Sequence, residues 1–384
     1  MTNRTTLVNR QEHLDVNKHR DLLIKHNNIQ NANEIYTFYY DETNNIRRLH
    51  LTSAGLNVKR ADNFVLAGVL HKGVHHDADL AELFDILTLQ KTTKELKLKH
   101  VATGTFLEML NSRKLCVILK WLLENDYFIH YFNLNLVYWS IVDIVDSIVG
   151  ELRHPYYIMA HKQLKSDLYD IAIENKEVFL AALRFFDYPD VHRDRLNDFS
   201  QWLISFVNEN NTMLPVFRAK TLGDLVDEAS KLDDLPFVSG YHGSELISSF
   251  MVFYLHNLYL FKNSKHVFDE EHSVETALET VLLTEGEKPI VNYTFVRSLD
   301  DKAIQVSDVI AGFLGKYFTY LKDVTIEKLK ADKEQLNTRQ SETLLALRQL
   351  VDISDNQCRG FFHKATSDSE QFKNDWFLHD VEFM

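Results

Sequence analysis

Asp41 and Glu42 close an otherwise apolar run, residues 35–42, reading IYTFYYDE. A carboxylate at the end of such a run is costly to desolvate unless something compensates, and a divalent cation or water would do so. Three further places offer acids of the same kind: Glu95 within a Lys-rich patch, Asp269 with Glu270 and Glu271 after the short run KHVF, and Asp308. Metal-dependent phosphoryl transfer needs such a set, because hard cations take oxygen ligands. Asp308, Ala311, Gly312 and Gly315 lie at i, i+3, i+4 and i+7, so they share one helical face. Two helix-interior glycines cost roughly 1 kcal/mol each relative to alanine, which points to a close approach by a neighbour.

Each acid also has an ordinary structural alternative. Asp41 and Glu42 could simply begin the polar loop TNN. Glu95 could pair with Lys91 or Lys99 at helical spacing, a weak surface interaction. Asp269 could cap the helix that follows. Asp308 could be a buried hydrogen-bonding residue. Other chemistries have less support. The chain contains 18 His, but there is no HExxH, His75 and His76 are adjacent, His154 and His161 are seven apart, and His192, His242, His266 and His272 form no ligand spacing. There is no GxSxG, and no Gly-rich phosphate loop. Cys116 and Cys358 fit no zinc spacing and read as incidental thiols.

The elements that must position these acids follow from pattern. Aromatic and β-branched residues make 35–42 a strand, which puts Thr37, Tyr39 and Asp41 on one face and Phe38, Tyr40 and Glu42 on the other. Strands are also expected at 46–52 and 63–70, the first joined to 35–42 as a hairpin through the Asn-rich turn. Leu80, Leu83, Phe84 and Leu87 give one helical stripe. The most basic patch, KTTKELKLKH at 91–100, comes next. Helices are expected at 11–25, 106–111 and 115–123, and a strand at 127–137. A mainly helical stretch covers 139–234, with breaks near Pro155, Pro189 and Pro215. A buried helix follows at 244–260, with Ser244 as its N-cap, then a strand at 265–269, a helix at 274–282 and a strand at 290–297. The series ends with a helix at 303–321, one charged helix at 325–351 and a docked tail. Strands mixed with helices in this order imply a mixed sheet with helices packed on it.

The 384 residues, 45% of them hydrophobic, suffice for a large core. The net charge of −13 argues against broad, charge-driven binding of nucleic acid, while leaving room for a nuclease with a local basic rim. No apolar stretch approaches 18 residues, and the first 20 residues lack a signal core, so no membrane association and a cytoplasmic location are expected.

YYDETNN followed by NFVLAGVL resembles the opening of the family called domain of unknown function 3800. KELK at 94–97 is similar to its Glu-Leu-Lys element, and HVFDEE at 266–271 to its later acidic strand. FVRSLDDKAIQVSDVIAGFLGKYF at 295–318 is similar to its closing motif, with Ser298, Gln305 and Asp308 in the corresponding places. The resemblance covers residues 35–100 and 244–320, a little over a third of the chain. It implies an α/β, ribonuclease H-like fold, a five-stranded mixed sheet with flanking helices, here carrying a large helical insertion. It also implies that Asp41, Glu95, Asp269 and Asp308 surround divalent metal ions, with a phage-defence setting. The sequence departs from that pattern at Thr43–Asn44, at Ser307, and in the fourth strand, where Asn133 and Asn135 stand in place of an acid.

The organisation expected is a polar extension (1–33), a core in two parts (34–138 and 244–321), a helical insertion (139–243) and a C-terminal helix and tail (322–384). The function expected is Mg2+- or Mn2+-dependent nuclease activity on RNA or DNA. Asp41, Asp269 and Asp308 would be metal ligands, Glu95 would complete the site, and Lys94, Lys97 and Lys99 would contact substrate phosphate. The alternatives are an inert ribonuclease H-like sensor or interaction module, with the insertion as a surface for a protein partner or second copy, and a hydrolase of a small phosphorylated nucleotide.

Overall fold

The structure, a computed structural model, describes residues 12–89, 93–232 and 244–382. Lys91, His242 and the end of the expected insertion (233–243) lie outside the described residues. In chain order the strands are β1 (Glu12–Asp15), β2 (Tyr36–Thr43), β3 (Leu49–Thr52), β4 (Gly55–Leu56), β5 (Phe64–Lys72), β6 (Phe128–Leu134), β7 (Glu245–Ile247), β8 (Lys265–Asp269), β9 (Val281–Glu285), β10 (Lys288–Pro289), β11 (Tyr293–Val296) and β12 (Phe362–Ala365). The helices are α1 (Val16–Asn27), α2 (Leu80–Leu87), α3 (Leu98–Val101), α4 (Phe106–Met109), α5 (Arg113–Glu124), α6 (Leu136–Leu152), α7 (Pro155–Glu174), α8 (Lys176–Phe185), α9 (Leu196–Asn210), α10 (Val216–Ala229), α11 (Met251–Leu260), α12 (His272–Leu278), α13 (Lys302–Asp323), α14 (Ile326–Glu334), α15 (Thr338–Gln357) and α16 (Asp368–His379).

The chain divides into two compact units. The first comprises the described parts of 1–45, 65–132 and 249–363. At its centre is a six-stranded mixed sheet in the order β11-β8-β2-β5-β6-β12. β2 runs antiparallel to β5 and parallel to β8, and β8 runs parallel to β11. Both neighbours and both faces of β2 are covered, which is why its sequence is apolar almost throughout. Tyr36, Phe38 and Tyr40 share one face, where Phe38 and Tyr40 stack at 5.8 Å. They meet Phe261, Phe361, His130 and His266 there. Long α13 packs on β2 from the other side.

At Ser307 the helix enters the sheet. The β2–β5 register runs from Tyr36↔Lys72 to Thr43↔Val65 but skips Tyr39 and Tyr40. There Ser307 Oγ accepts from Val69 N (3.2 Å) and donates to Tyr39 O (3.1 Å), standing between the two strands. Gly68 makes room for it: a Cβ at that position would lie 2.1 Å from Tyr39 O and 2.5 Å from Ser307 Oγ.

Several expectations are corrected here. Residues 35–42 and 46–52 form no hairpin. β2 takes β5 and β8 as partners, while β3 pairs with β4 and β7 in a separate sheet. The central sheet has a sixth strand, β12, supplied by the tail. The segment expected as one helix from Ser244 is β7 followed by α11, and Ser249, not Ser244, accepts from a helical amide, Met251 N. The helix expected to reach residue 282 stops at Leu278, and β9 pairs with β1 and β10. The charged helix expected from 325 to 351 is two helices, because Asn337 caps α15 by accepting from Gln340 N (3.0 Å).

The second unit comprises the described parts of 46–64, 133–248 and 364–384. It consists of α6–α10 and α16 with the small β4-β3-β7 sheet. Helix starts at Pro155 and after Pro215 match the expected breaks, since proline suits a first helical turn. Asn135 caps α6 and donates to Glu370 (2.6 Å) and Tyr169 (2.7 Å). Asn63 donates to Asn133 (3.0 Å) and Glu370 (3.0 Å). These asparagines therefore serve helix capping and a buried polar network. Among the described residues, no helix is long and apolar enough to cross a membrane.

Candidate functional site

The first unit brings Asp41, Glu95, Asp269 and Asp308 into one electrostatic neighbourhood. Each sits at the end of an element or on a helix: Asp41 near the end of β2, Asp269 at the last residue of β8, Asp308 on α13, and Glu95 just before α3. Asp41 is 7% exposed. Its Oδ1 accepts from Glu42 N (2.7 Å), while its buried Oδ2 has no hydrogen-bond partner. Burial, then the charges of Glu42, Asp308 and Asp269, push its carboxyl up to about 9.

Glu42 lies on the opposite face of β2, as strand alternation requires, and accepts from Tyr254 Oη on α11 (3.1 Å). Burial pushes it up to about 7 despite that bond, with Glu271 and Asp269 adding to the rise. Asp269 is likewise raised by burial, offset in part by the Glu270 amide and Lys97. It does not cap α12; Glu271 does, accepting from Ser273 N (3.2 Å).

Glu95 and Asp308 are differently provided for. Lys97 Nζ lies 2.9 Å from Glu95 Oε1 and 3.6 Å from Asp308 Oδ2. Burial opposes ionisation of Glu95, but the hydroxyl of Ser298 and Lys97 together hold its carboxyl below the ordinary value. Burial also opposes the Lys97 charge, yet Glu95, Asp308 and Asp41 keep that ammonium above its usual range. Asp308 Oδ1 accepts from Leu98 N (2.7 Å).

Helix α13 positions this whole segment. Gln305 Oε1 accepts from Leu96 N (2.7 Å), and Gln305 Nε2 donates to Ser298 O (2.8 Å). Gln305 and Asp308, one turn apart, thus grip alternate amides of residues 96–98. The glycines allow the approach. A Cβ on Gly312 would come within 2.7 Å of Leu98 Cδ2, and one on Gly315 within 2.3 Å of Thr43 Cγ2.

Lys94 and Lys99 are exposed beside this centre. Reasoning from sequence grouped Lys97 with them as a phosphate contact and did not find its place between two acids. It did not find Tyr254 or the Ser307 wedge either. The Gly312–Gly315 spacing was the available signal for the approach of residues 96–98; nothing local marks Tyr254 as a partner of Glu42.

The acids here offer oxygen donors, and one buried carboxylate oxygen, Asp41 Oδ2, is unpartnered amid like charges. Among the described residues, no three His, Cys, Asp or Glu side chains are arranged to hold an ion. Lys97 stands between two of the acids. In comparisons with known proteins, no family model matches the chain, and neither a curated protein nor a solved structure matches it.

Proposed function

We propose that this chain is a divalent-metal-dependent phosphodiester hydrolase, a nuclease on a ribonuclease H-like core. The observation that carries the proposal is Asp41: a buried carboxyl group with an unpartnered oxygen, near two other acids at the carboxyl end of the central strand. Support for the fold comes from the placement of acids on the central strand, on the end of the next parallel strand and on the long helix after it. Asp41, Asp269 and Asp308 would hold Mg2+ or Mn2+, which when bound supplies positive charge and Lewis acidity toward a phosphate oxygen. Glu95 orients Lys97. Lys94 and Lys99, exposed and cationic, would meet substrate phosphates, which suits local rather than broad attraction in an acidic protein.

A second reading, an inert sensor or interaction module, draws on Lys97 already neutralising part of the cluster and on the lack of a three-ligand group among the described residues. Calorimetric titration with Mn2+ separates the two. The nuclease should show a saturable site that Asp41→Ala loses, together with metal-dependent cleavage of single-stranded RNA or DNA. Cleavage by an Asp41→Ala/Asp308→Ala double variant at the wild-type rate would sink the nuclease. A chain with no manganese site leaves the inert module. Turnover confined to nucleotides assigns the centre to a small phosphorylated substrate.

A further inference from the structure

In the second unit, positive charge that the chain leaves unmatched gathers at one cavity. Cations of this unit commonly sit against an acid: Lys162 on Asp368 (3.1 Å), Lys165 on Asp146 (2.9 Å), Arg195 on Asp187 (3.3 Å) and Lys220 on Asp224 (2.9 Å). Lys59 and Arg184 have no such partner among the described residues. Both line a cavity of about 700 Å3 formed by the β3–β4 hairpin and α8, together with Lys176. Against these three cations its lining holds a single acid, Glu177, in a chain whose net charge is −13.

The chain fixes both walls of this cavity. In the hairpin, Thr52 Oγ1 accepts from Ala54 N (3.2 Å) and donates to Gly55 O (3.1 Å). Asn57 braces the strands, accepting from His50 N (3.0 Å) and donating to Arg48 O (3.1 Å). Gly55 turns there with φ +103°, and a Cβ on it would lie 4.0 Å from Leu180 Cδ1 of α8, so hairpin and helix are in contact. Lys176, Leu180 and Arg184 recur every four residues along α8 and share one face. Eight residues at the helical rise set the two cations about 12 Å apart along the axis. Leu56, Val58, Leu180 and Ala181 add an apolar lining.

We propose that this cavity binds a nucleotide, with its phosphates on Lys59, Lys176 and Arg184 and its base on the apolar lining. The volume falls within the roughly 300–1,000 Å3 of small-molecule sites. The planar fork of an arginine takes two phosphate oxygens at once, and lysines add point charge. A cleft walled by one sign of charge draws anions even to a protein that is acidic overall. Walls already held in place reduce the ordering cost of binding. A small dianion without a ring would match the charge and leave the apolar lining unused. No residue of this cavity belongs to the carboxylate centre, so the proposal does not rest on metal-dependent hydrolysis.

The test is calorimetric titration of the intact chain with ATP in EDTA, with adenosine and inorganic phosphate as the partial ligands. Wild type should bind one ATP, and more tightly than either partial ligand. Lys59→Gln and Arg184→Gln each remove one exposed cation, and each should weaken ATP by about tenfold or more. Ala181→Trp, which fills the apolar lining and alters no charge, should abolish binding while circular dichroism stays that of wild type. No binding of ATP by the wild type overturns the proposal, as does ATP binding that Lys59→Gln and Arg184→Gln leave unchanged. Inorganic phosphate bound as tightly as ATP overturns the assignment to a nucleotide. So does a single-stranded RNA oligonucleotide that binds more tightly than ATP and is lost in the same variants, which makes the cavity a nucleic-acid surface. Each of these outcomes leaves the reading of the carboxylate centre untouched, because no divalent ion is present.

Discussion

Asp167 in the helical unit and Asp41 in the sheet unit are both buried aspartates with an unpartnered Oδ2. Their surroundings differ in charge. Asp167 Oδ1 accepts from Arg218 Nε (2.7 Å) and also from Arg218 Nη2, and Gln163 donates to it at 3.1 Å. Nearby Asp146 is served by His161 and by Lys165 (2.9 Å). Asp41 instead feels the like charges of Glu42, Asp308 and Asp269, and the ammonium of Lys97 lies with Glu95 and Asp308. An orphan oxygen is thus common to both regions and by itself says little. What separates a structural aspartate from a candidate ligand is whether the chain supplies the opposing charge.

That contrast can be broken most forcefully at Arg218. Arg218→Leu strands the buried Asp167 carboxylate, and because Arg218 itself is partly exposed the loss is expected below the roughly 3–5 kcal/mol of a fully buried pair. Urea unfolding should show that loss, whereas Asp41→Asn in metal-free protein should cost nothing or stabilise. If both substitutions destabilise alike, the two aspartates are the same kind of residue. A smaller effect is expected within the site. Asp308→Ala leaves Leu98 N, half-buried, without its acceptor, which costs at most about 1 kcal/mol since water can replace it in part. Thermal unfolding without metal should therefore rank Asp308→Ala below wild type and Asp41→Asn at or above it. The reverse order would make Asp41 the structural member of the pair.

What could be read from sequence follows the range of the interactions. Strand alternation separated Asp41 from Glu42, and the structure puts them on the α13 and α11 sides of β2. The helical period put Asp308, Gly312 and Gly315 on one face, and Leu98 and Thr43 pack against its glycines. A mixed sheet with helices was legible from the order of elements. Pairing was not: the short TNN turn invites a hairpin, but β2 gains more by burial between β5 and β8, a choice made by residues far away in sequence. The sixth strand, β12, comes from the tail for the same reason. Lys97 looked like any lysine of a basic patch. Its role depends on Asp308, 210 residues from the Leu98 amide that fixes the segment.

The last test concerns pH and uses the same contrast inside the first unit. Asp41 has its proton affinity raised from an ordinary 3.8 to about 9, so the fold binds the protonated carboxyl better than the unfolded chain does. The stability this contributes is complete below about pH 4 and is lost as pH rises toward 9. His130 and His256 behave oppositely. Burial lowers them to about 3 and about 4, so the fold favours their neutral forms, and their contribution is complete above pH 6.5 and lost on acidification. Between pH 6.5 and 9 the histidines are silent and Asp41 sets the slope, helped at its lower end by Glu42 at about 7. A single group contributes at most about 1.4 kcal/mol per pH unit, and coupled acids share that change among them. Metal-free wild type should therefore lose stability from pH 6.5 to 9, and Asp41→Asn, which fixes a neutral side chain there, should flatten the curve. Manganese should flatten the wild-type curve as well, by supplying the charge the chain leaves out. A slope that survives both Asp41→Asn and manganese would place the titrating group elsewhere and remove Asp41 from the centre of the site.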